Sequence, residues 1–287
     1  MPTYAIVIDT DASLPLELIE RYHIYQVPQT VVFGNESFEA VYQIDDATLF
    51  SRIDREGKLP TTAAPPPGKF AAAFQAAFDD GAEGVICFCV SSQVSATFES
   101  ARNACELLPG RDITVVDSRT LTIGQGFMVL EAAEAAYADQ SKEEILALAE
   151  NVRERTHLFA AVPTLKYLAM SGRMSQIASG VANILDIKPI LTIKDGRLVL
   201  LERVRAWHKS LRRIIELAEK ARAGQPIERM AIGHVNVPEE ARRFQNQVFQ
   251  ELPCPEEVIF TEINPGMSPH SGAGVVGMGF VTAARGK

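Results

Sequence analysis

Three short polar stretches carry the side chains best suited to chemistry. Ser91-Ser92-Gln93-Val94-Ser95-Ala96-Thr97 offers four hydroxyls directly after the apolar run Val85–Val90. Helix capping, in which a serine oxygen accepts a backbone N–H, accounts for one or two of them. The surplus is available to a ligand. Thr61-Thr62, just before Pro65-Pro66-Pro67, reads either as a polar turn or as a second pair of donors. Residues 264–274 form an eleven-residue connection between two strand-like runs, long for a plain loop. It contains His270, one of five histidines, with glycines on both sides that allow close backbone approach to a ligand. Ser95 with His270 also fits the nucleophile-and-base pair of an esterase or acyltransferase. That chemistry further needs an orienting acid or amide and an oxyanion hole.

Several better-known signatures are absent or misleading. Gly272-Ala273-Gly274-Val275-Val276-Gly277 has the G-x-G-x-x-G spacing of a dinucleotide site. That site requires a helix after the glycines and an acidic residue about 20 positions on. Here a strand-like run follows and ten residues remain, so the match is rejected. Gly57-Lys58 and Gly68-Lys69 lack the glycine spacing and following Ser/Thr of a phosphate-binding loop. There is no G-x-S-x-G elbow, and the histidines have no metal-ligand spacing. Arg173, after Ser171-Gly172, and Arg205, beside Ala206-Trp207-His208, read by themselves as solvated charges. Cys87 and Cys89, two apart in an apolar run, read as buried packing, and no C-x-x-C pair occurs among the four cysteines.

The elements that must hold these stretches alternate. Strands are expected at Tyr4–Ile8, Tyr25–Phe33, Val85–Val90 and Ile113–Asp117, and helices near 14–22, 46–55, 69–78, 95 onward, 121–138 and 141–155. Ser141 and Glu144 have capping-box spacing. This order implies an α/β lobe with a mainly parallel sheet. After Leu158–Val162 the pattern changes. Helical stretches at 164–170 and 175–185 lead to two β-rich runs, 187–194 and 197–205, joined by Asp195-Gly196. That pair tolerates positive φ and marks a hairpin. A helix at 207–223, a strand at 230–235, a helix at 239–252 and strands at 257–263 and 275–282 complete a mixed-sheet lobe. The expected division is residues 1–160 and 161–287. No Gly/Ser linker separates the lobes, so they are expected to pack together.

Composition narrows the function. Of 287 residues, 47% are hydrophobic and 22% charged, enough to fill a large core. A net charge of -8 repels phosphate backbones and speaks against nucleic acid as a partner. No apolar stretch approaches the roughly 18 residues of a membrane helix, and a soluble, cytoplasmic protein is expected. Aromatic residues make up only 7%, which favours an aliphatic ligand over flat rings.

The polar stretches, taken in order, resemble the DegV family of bacterial fatty-acid-binding proteins. The resemblance runs nearly end to end. It comprises Thr10-Asp11, Pro60-Thr61-Thr62 with Pro65, Ser91 to Thr97, Asp117-Ser118, Ser171-Gly172-Arg173, Ile187-Lys188-Pro189-Ile190 and Pro269-His270-Ser271-Gly272-Ala273-Gly274. It implies two α/β lobes with the ligand buried between them. It also implies that Thr62, Ser95 and His270 hold the fatty acid carboxylate, with Arg173 and Arg205 near the pocket mouth or at a partner surface. The implied ligand is a long-chain fatty acid of the palmitate, stearate or oleate class, with no cofactor and no metal. The implied partners are a separate ATP-dependent fatty acid kinase and, transiently, the membrane surface. The chain departs from the family pattern at Ala63 and Ala64, where Ser-Gln is common, and at Ala96, where Gly is usual. A regulator sensing an acyl ligand ranks last, since no appended DNA-binding segment is present.

Overall fold

The computed structural model describes residues 2–173 and 187–284, so the helix read at 175–185 lies outside the described residues. The first lobe is built on a four-stranded parallel sheet in the order β2-β1-β6-β7, comprising Tyr25–Val27, Tyr4–Asp9, Gly84–Cys89 and Asp112–Asp117. Strand β6 is buried along its whole length, as expected of a central parallel strand covered on both faces. Helices α3 (Pro67–Asp79) and α4 (Thr97–Cys105) cover one face through Phe70, Phe74 and Ala101. Helices α5 (Ile123–Tyr137) and α6 (Lys142–Arg155) cover the other. The Ser141–Glu144 capping box that starts α6 is formed in both directions.

The second lobe carries a six-stranded mixed sheet in the order β10-β9-β8-β13-β11-β12: Arg197–Val204, Lys188–Lys194, Thr156–Ala161, Val276–Thr282, Ile227–His234 and Val258–Glu262. It therefore begins slightly before residue 160. Asp195 and Gly196 both have positive φ and close the hairpin of β9 and β10 as expected. Helices α8 (Trp207–Arg222) and α9 (Pro238–Glu251) cover its outer face. Helix α5 lies between the two sheets. Twelve of its fifteen residues are buried, and its cluster joins Ile6 and Phe88 of one sheet to Ala231 and Val281 of the other.

Two local expectations are corrected. The run Tyr25–Phe33 is not one strand. Pro28 interrupts it, and β2 stays in the parallel sheet while β3 (Thr30–Phe33) starts a separate three-stranded antiparallel sheet, β4-β3-β5. Proline has no N–H to continue a ladder, so the chain changes sheets there. Thr61-Thr62 is not a turn. It lies in β5 (Thr61–Ala63), which pairs with β3 after β4 (Glu36–Glu39) and helix α2 (Asp46–Glu56). Both are short elements whose pairing depends on distant partners, which local patterning does not reveal.

Candidate functional site

A cavity of about 610 Å³ runs between the lobes, within the usual range for a small-molecule site. Its floor is one register row of the six-stranded sheet. Thr261 pairs with Gly233, Gly233 with Gly277, Gly277 with Ala160 and Ala160 with Leu191, and all five line the cavity. Side chains in one register row share a face, so mostly small residues leave a trough across five strands, ~19 Å from end to end at the usual strand spacing. Gly233 matters here for space. A Cβ placed on it meets only Ile263, at 3.9 Å. Leu158, Leu168, Ile193, Leu198 and Val275 add aliphatic wall.

The polar side chains gather on the lining contributed by the first lobe and by the long connection to β13. Thr62 on β5 and His270 on the short helix α10 (Ser268–Ser271) meet, with Thr62 Oγ1 and His270 Nε2 2.7 Å apart. Burial, and then the charge of Arg173, pushes the His270 pKa down to about 4, so the imidazole is neutral at physiological pH. Its Nδ1 is buried and has no hydrogen-bond partner among the described residues. A neutral imidazole has one N–H, and either tautomer leaves a free donor at this pair. If Nε2–H donates to Thr62, the threonine proton is free; if Thr62 donates, the free proton is on Nδ1.

Ser95 lies at the start of α4. Its Oγ accepts from the Thr97 N–H at 3.3 Å and contacts Thr97 Oγ1 at 2.8 Å. The neighbouring hydroxyls have other duties. Ser91 donates to the Gly196 carbonyl at the tip of the β9–β10 hairpin, and Ser92 donates to Asp117. A Cβ on Gly196 would lie 2.6 Å from Ser91 Oγ, so the absence of a side chain permits that contact. Capping-type bonds thus absorb part of the hydroxyl-rich loop, and Ser95 keeps a face on the cavity.

Thr62, Ser95, His270 and Arg173 all line the same cavity. Arg173, half-buried, donates to the Ser171 carbonyl at 2.5 Å. Arg205 is exposed between β10 and α8 and is not among the lining residues. His270 is bonded to Thr62 and Ser95 to Thr97, so the nucleophile–base hydrogen bond that an esterase would use is not formed between the pair. Among the described residues, no group of three or more His, Cys, Asp or Glu is placed to hold a metal, and no helix is long and apolar enough to cross a membrane.

Sequence reading missed a buried polar layer beside these groups, of which Asp11 and Gln29 also line the cavity. Gln29, just after the Pro28 break, is only 3% exposed. Its Nε2 donates to Asp11 Oδ2 at 2.8 Å and to Thr97 Oγ1 at 2.9 Å, while its backbone N–H donates to Thr10 Oγ1. Burial, and then the charge of Asp9, holds the Asp11 carboxyl well above the usual range. Asn264 donates to the Thr10 carbonyl at 2.6 Å, tying the β12–β13 connection to the end of β1. Asp46, at the start of α2, accepts from Ser268 of α10, and burial raises its pKa to about 8. Thr10-Asp11 after a strand was the only local sign of this layer. Gln29 and Asp46 carried none.

Comparison with known proteins follows the same lines. Residues 3–283 match the sequence profile of the DegV family, described as uncharacterised proteins. A DegV domain-containing protein of Listeria innocua is 30% identical over 276 residues, covering 96% of each chain. A solved structure described as showing fatty acid binding of a DegV family protein from Thermus thermophilus superposes with a TM-score of 0.90 at 28% identity, covering 99% of this chain and 100% of that one. That of DegV from Bacillus subtilis, described as a fatty acid binding protein, gives 0.88 at 28% identity with the same coverage.

Proposed function

Because this chain belongs to the DegV family, we propose that it binds a long-chain fatty acid in the cavity between its lobes and presents the carboxylate to a separate ATP-dependent fatty acid kinase. The observation that carries the reading is the cavity itself, an aliphatic trough with hydroxyls and a neutral histidine gathered on one part of its wall. Carbon–carbon bonds of ~1.5 Å advance an extended chain by about 1.25 Å per carbon, so a ~19 Å trough suits ~15 carbons. Burying each methylene contributes about 0.8 kcal/mol, so a tail of ~14 supplies on the order of 11 kcal/mol before association costs. The tail sets affinity and the polar groups set orientation. A buried carboxylate without donors would be costly. Thr62, Ser95 and His270 supply them, and the positive charge of Arg173 favours the anion. The chain contains no nucleotide-binding motif, which fits a phosphoryl donor held on a partner. Arg205, exposed beside α8, is assigned to docking of that partner, and transient contact with the membrane surface would load the ligand in the cytoplasm.

Native mass spectrometry of the purified protein tests the binding. An adduct of acyl-chain mass, or one acquired on adding palmitate or oleate, is the expected result. A protein that takes up neither excludes the reading. Mixing the loaded protein with a fatty acid kinase and ATP tests the presentation step, through acyl phosphate formation that the kinase alone does not give.

A further inference from the structure

We propose that Gln29 is a positioning residue that fixes the hydrogen-bond polarity of Ser95, so that the cavity selects an anionic head group over an alcohol of equal tail length. The inference rests on the fatty-acid reading and deepens it. Gln29 lines the cavity next to Ser95, and both hydrogens of its side-chain amide point to protein acceptors. An amide nitrogen has two hydrogens, and both are committed here, one to Asp11 Oδ2 and one to Thr97 Oγ1. The amide nitrogen faces this pair, 2.8 Å from Asp11 Oδ2 and 2.9 Å from Thr97 Oγ1.

The consequence runs outward. Thr97 Oγ1 accepts from Gln29, and the hydroxyl within reach of its own proton is Ser95 Oγ, at 2.8 Å. Ser95 Oγ then accepts twice, from the Thr97 hydroxyl and from the Thr97 backbone N–H. What it has left is its own proton, and its remaining free surface is the cavity. A hydroxyl that would otherwise rotate freely is thereby held as a donor. A carboxylate accepts from such a group; an alcohol, which both donates and accepts, gains less.

Gln29 is itself held rigidly. Its N–H donates to Thr10 Oγ1 at 3.1 Å and its carbonyl accepts from the Ala40 N–H at 2.9 Å. On the cavity side it packs against Gly266, where an added Cβ would lie 2.8 Å from Gln29 Cβ. Such close fixing is what a polarity anchor requires. Asp11 accepts from Gln29 at Oδ2, while its buried Oδ1 has no hydrogen-bond partner among the described residues.

The test compares palmitate with 1-hexadecanol, two probes that share a tail, by isothermal titration of the full-length protein. Wild type is expected to prefer the acid. Gln29→Glu replaces the donor by an acceptor, drawing the Thr97 proton inward and letting Ser95 donate to Thr97 instead of the ligand. The acid-over-alcohol preference then falls by about tenfold or more, the size of one hydrogen bond to a charged group, while hexadecanol affinity changes little. Gln29→Met keeps the side-chain length and lowers the preference by a smaller factor, which preserves the test if the Glu variant does not fold. Adding Thr97→Val to Gln29→Glu removes the competing acceptor and restores the preference, a rescue that damage to packing would not give. An unchanged preference in every folded Gln29 variant, or a double variant that stays as poor as Gln29→Glu, overturns the proposal. A wild-type protein that binds neither probe overturns the fatty-acid reading together with it.

Discussion

At the scale of single residues, the donors of the cavity are separable from the groups that hold the fold. Thr62 and Ser95 face the void, and neither is fully buried. Replacing Thr62 by Val and Ser95 by Ala is expected to weaken palmitate binding by on the order of a hundredfold while the melting temperature stays within about 2 °C of wild type. Titration calorimetry beside a thermal melt checks both halves of that statement; unchanged affinity would make these hydroxyls caps only. Asp46 behaves differently. Its unfolded pKa is 3.8 and its folded value about 8, so between those limits the native state holds a proton that the unfolded chain has lost. Stability from this group therefore falls as pH rises from about 4 to 8. Asp46→Asn keeps an acceptor for Ser268 and removes the titration. Its melting temperature should gain on wild type steadily between pH 5 and pH 8, both values being within that window. A constant difference across the series would contradict the assignment.

At the scale of elements, the six-stranded sheet sets the dimensions of the cavity, and Gly233 on β11 is where it leaves most room. The residue lies within a strand, without positive φ, and an added side chain projects toward space bounded by Ile263. Gly233→Leu is expected to fold and to shift the bound acyl chains toward shorter ones, read as a lower adduct mass in native mass spectrometry. Retention of the same chains would place the limiting wall elsewhere. This is also the scale at which sequence reading succeeded and failed. The all-apolar run of β6, the Ser141–Glu144 box and the Asp195-Gly196 turn each carry their structural reason locally, and each formed where expected. The small sheet β4-β3-β5 did not announce itself, because its strands are three or four residues long and are stabilised by pairing across the chain. Gln29 was invisible for a related reason. Nothing next to it in sequence shows that Thr97, 68 positions away, needs a donor.

At the scale of the whole molecule, two α/β lobes share one helix layer and one void. Thr261 donates to the Ser13 carbonyl and Asn264 to that of Thr10, while Ser91 reaches the hairpin tip at Gly196, so the seam is closed on more than one side. A ligand that fills the void binds the folded state alone. At a free concentration 100 times its Kd, palmitate should stabilise the protein by about 2.7 kcal/mol, seen as a rise in melting temperature that 1-butanol does not produce. Absence of any rise would mean that the void is not the binding place. The lining runs from Asp11 to Ile123 in the first lobe and from Leu158 to Gly279 in the second. Neither half owns the channel. A fragment beginning near the middle of the chain would turn an oily trough toward water and offer cargo one bank of a river, so carrying capacity and foldedness are inherited together or lost together.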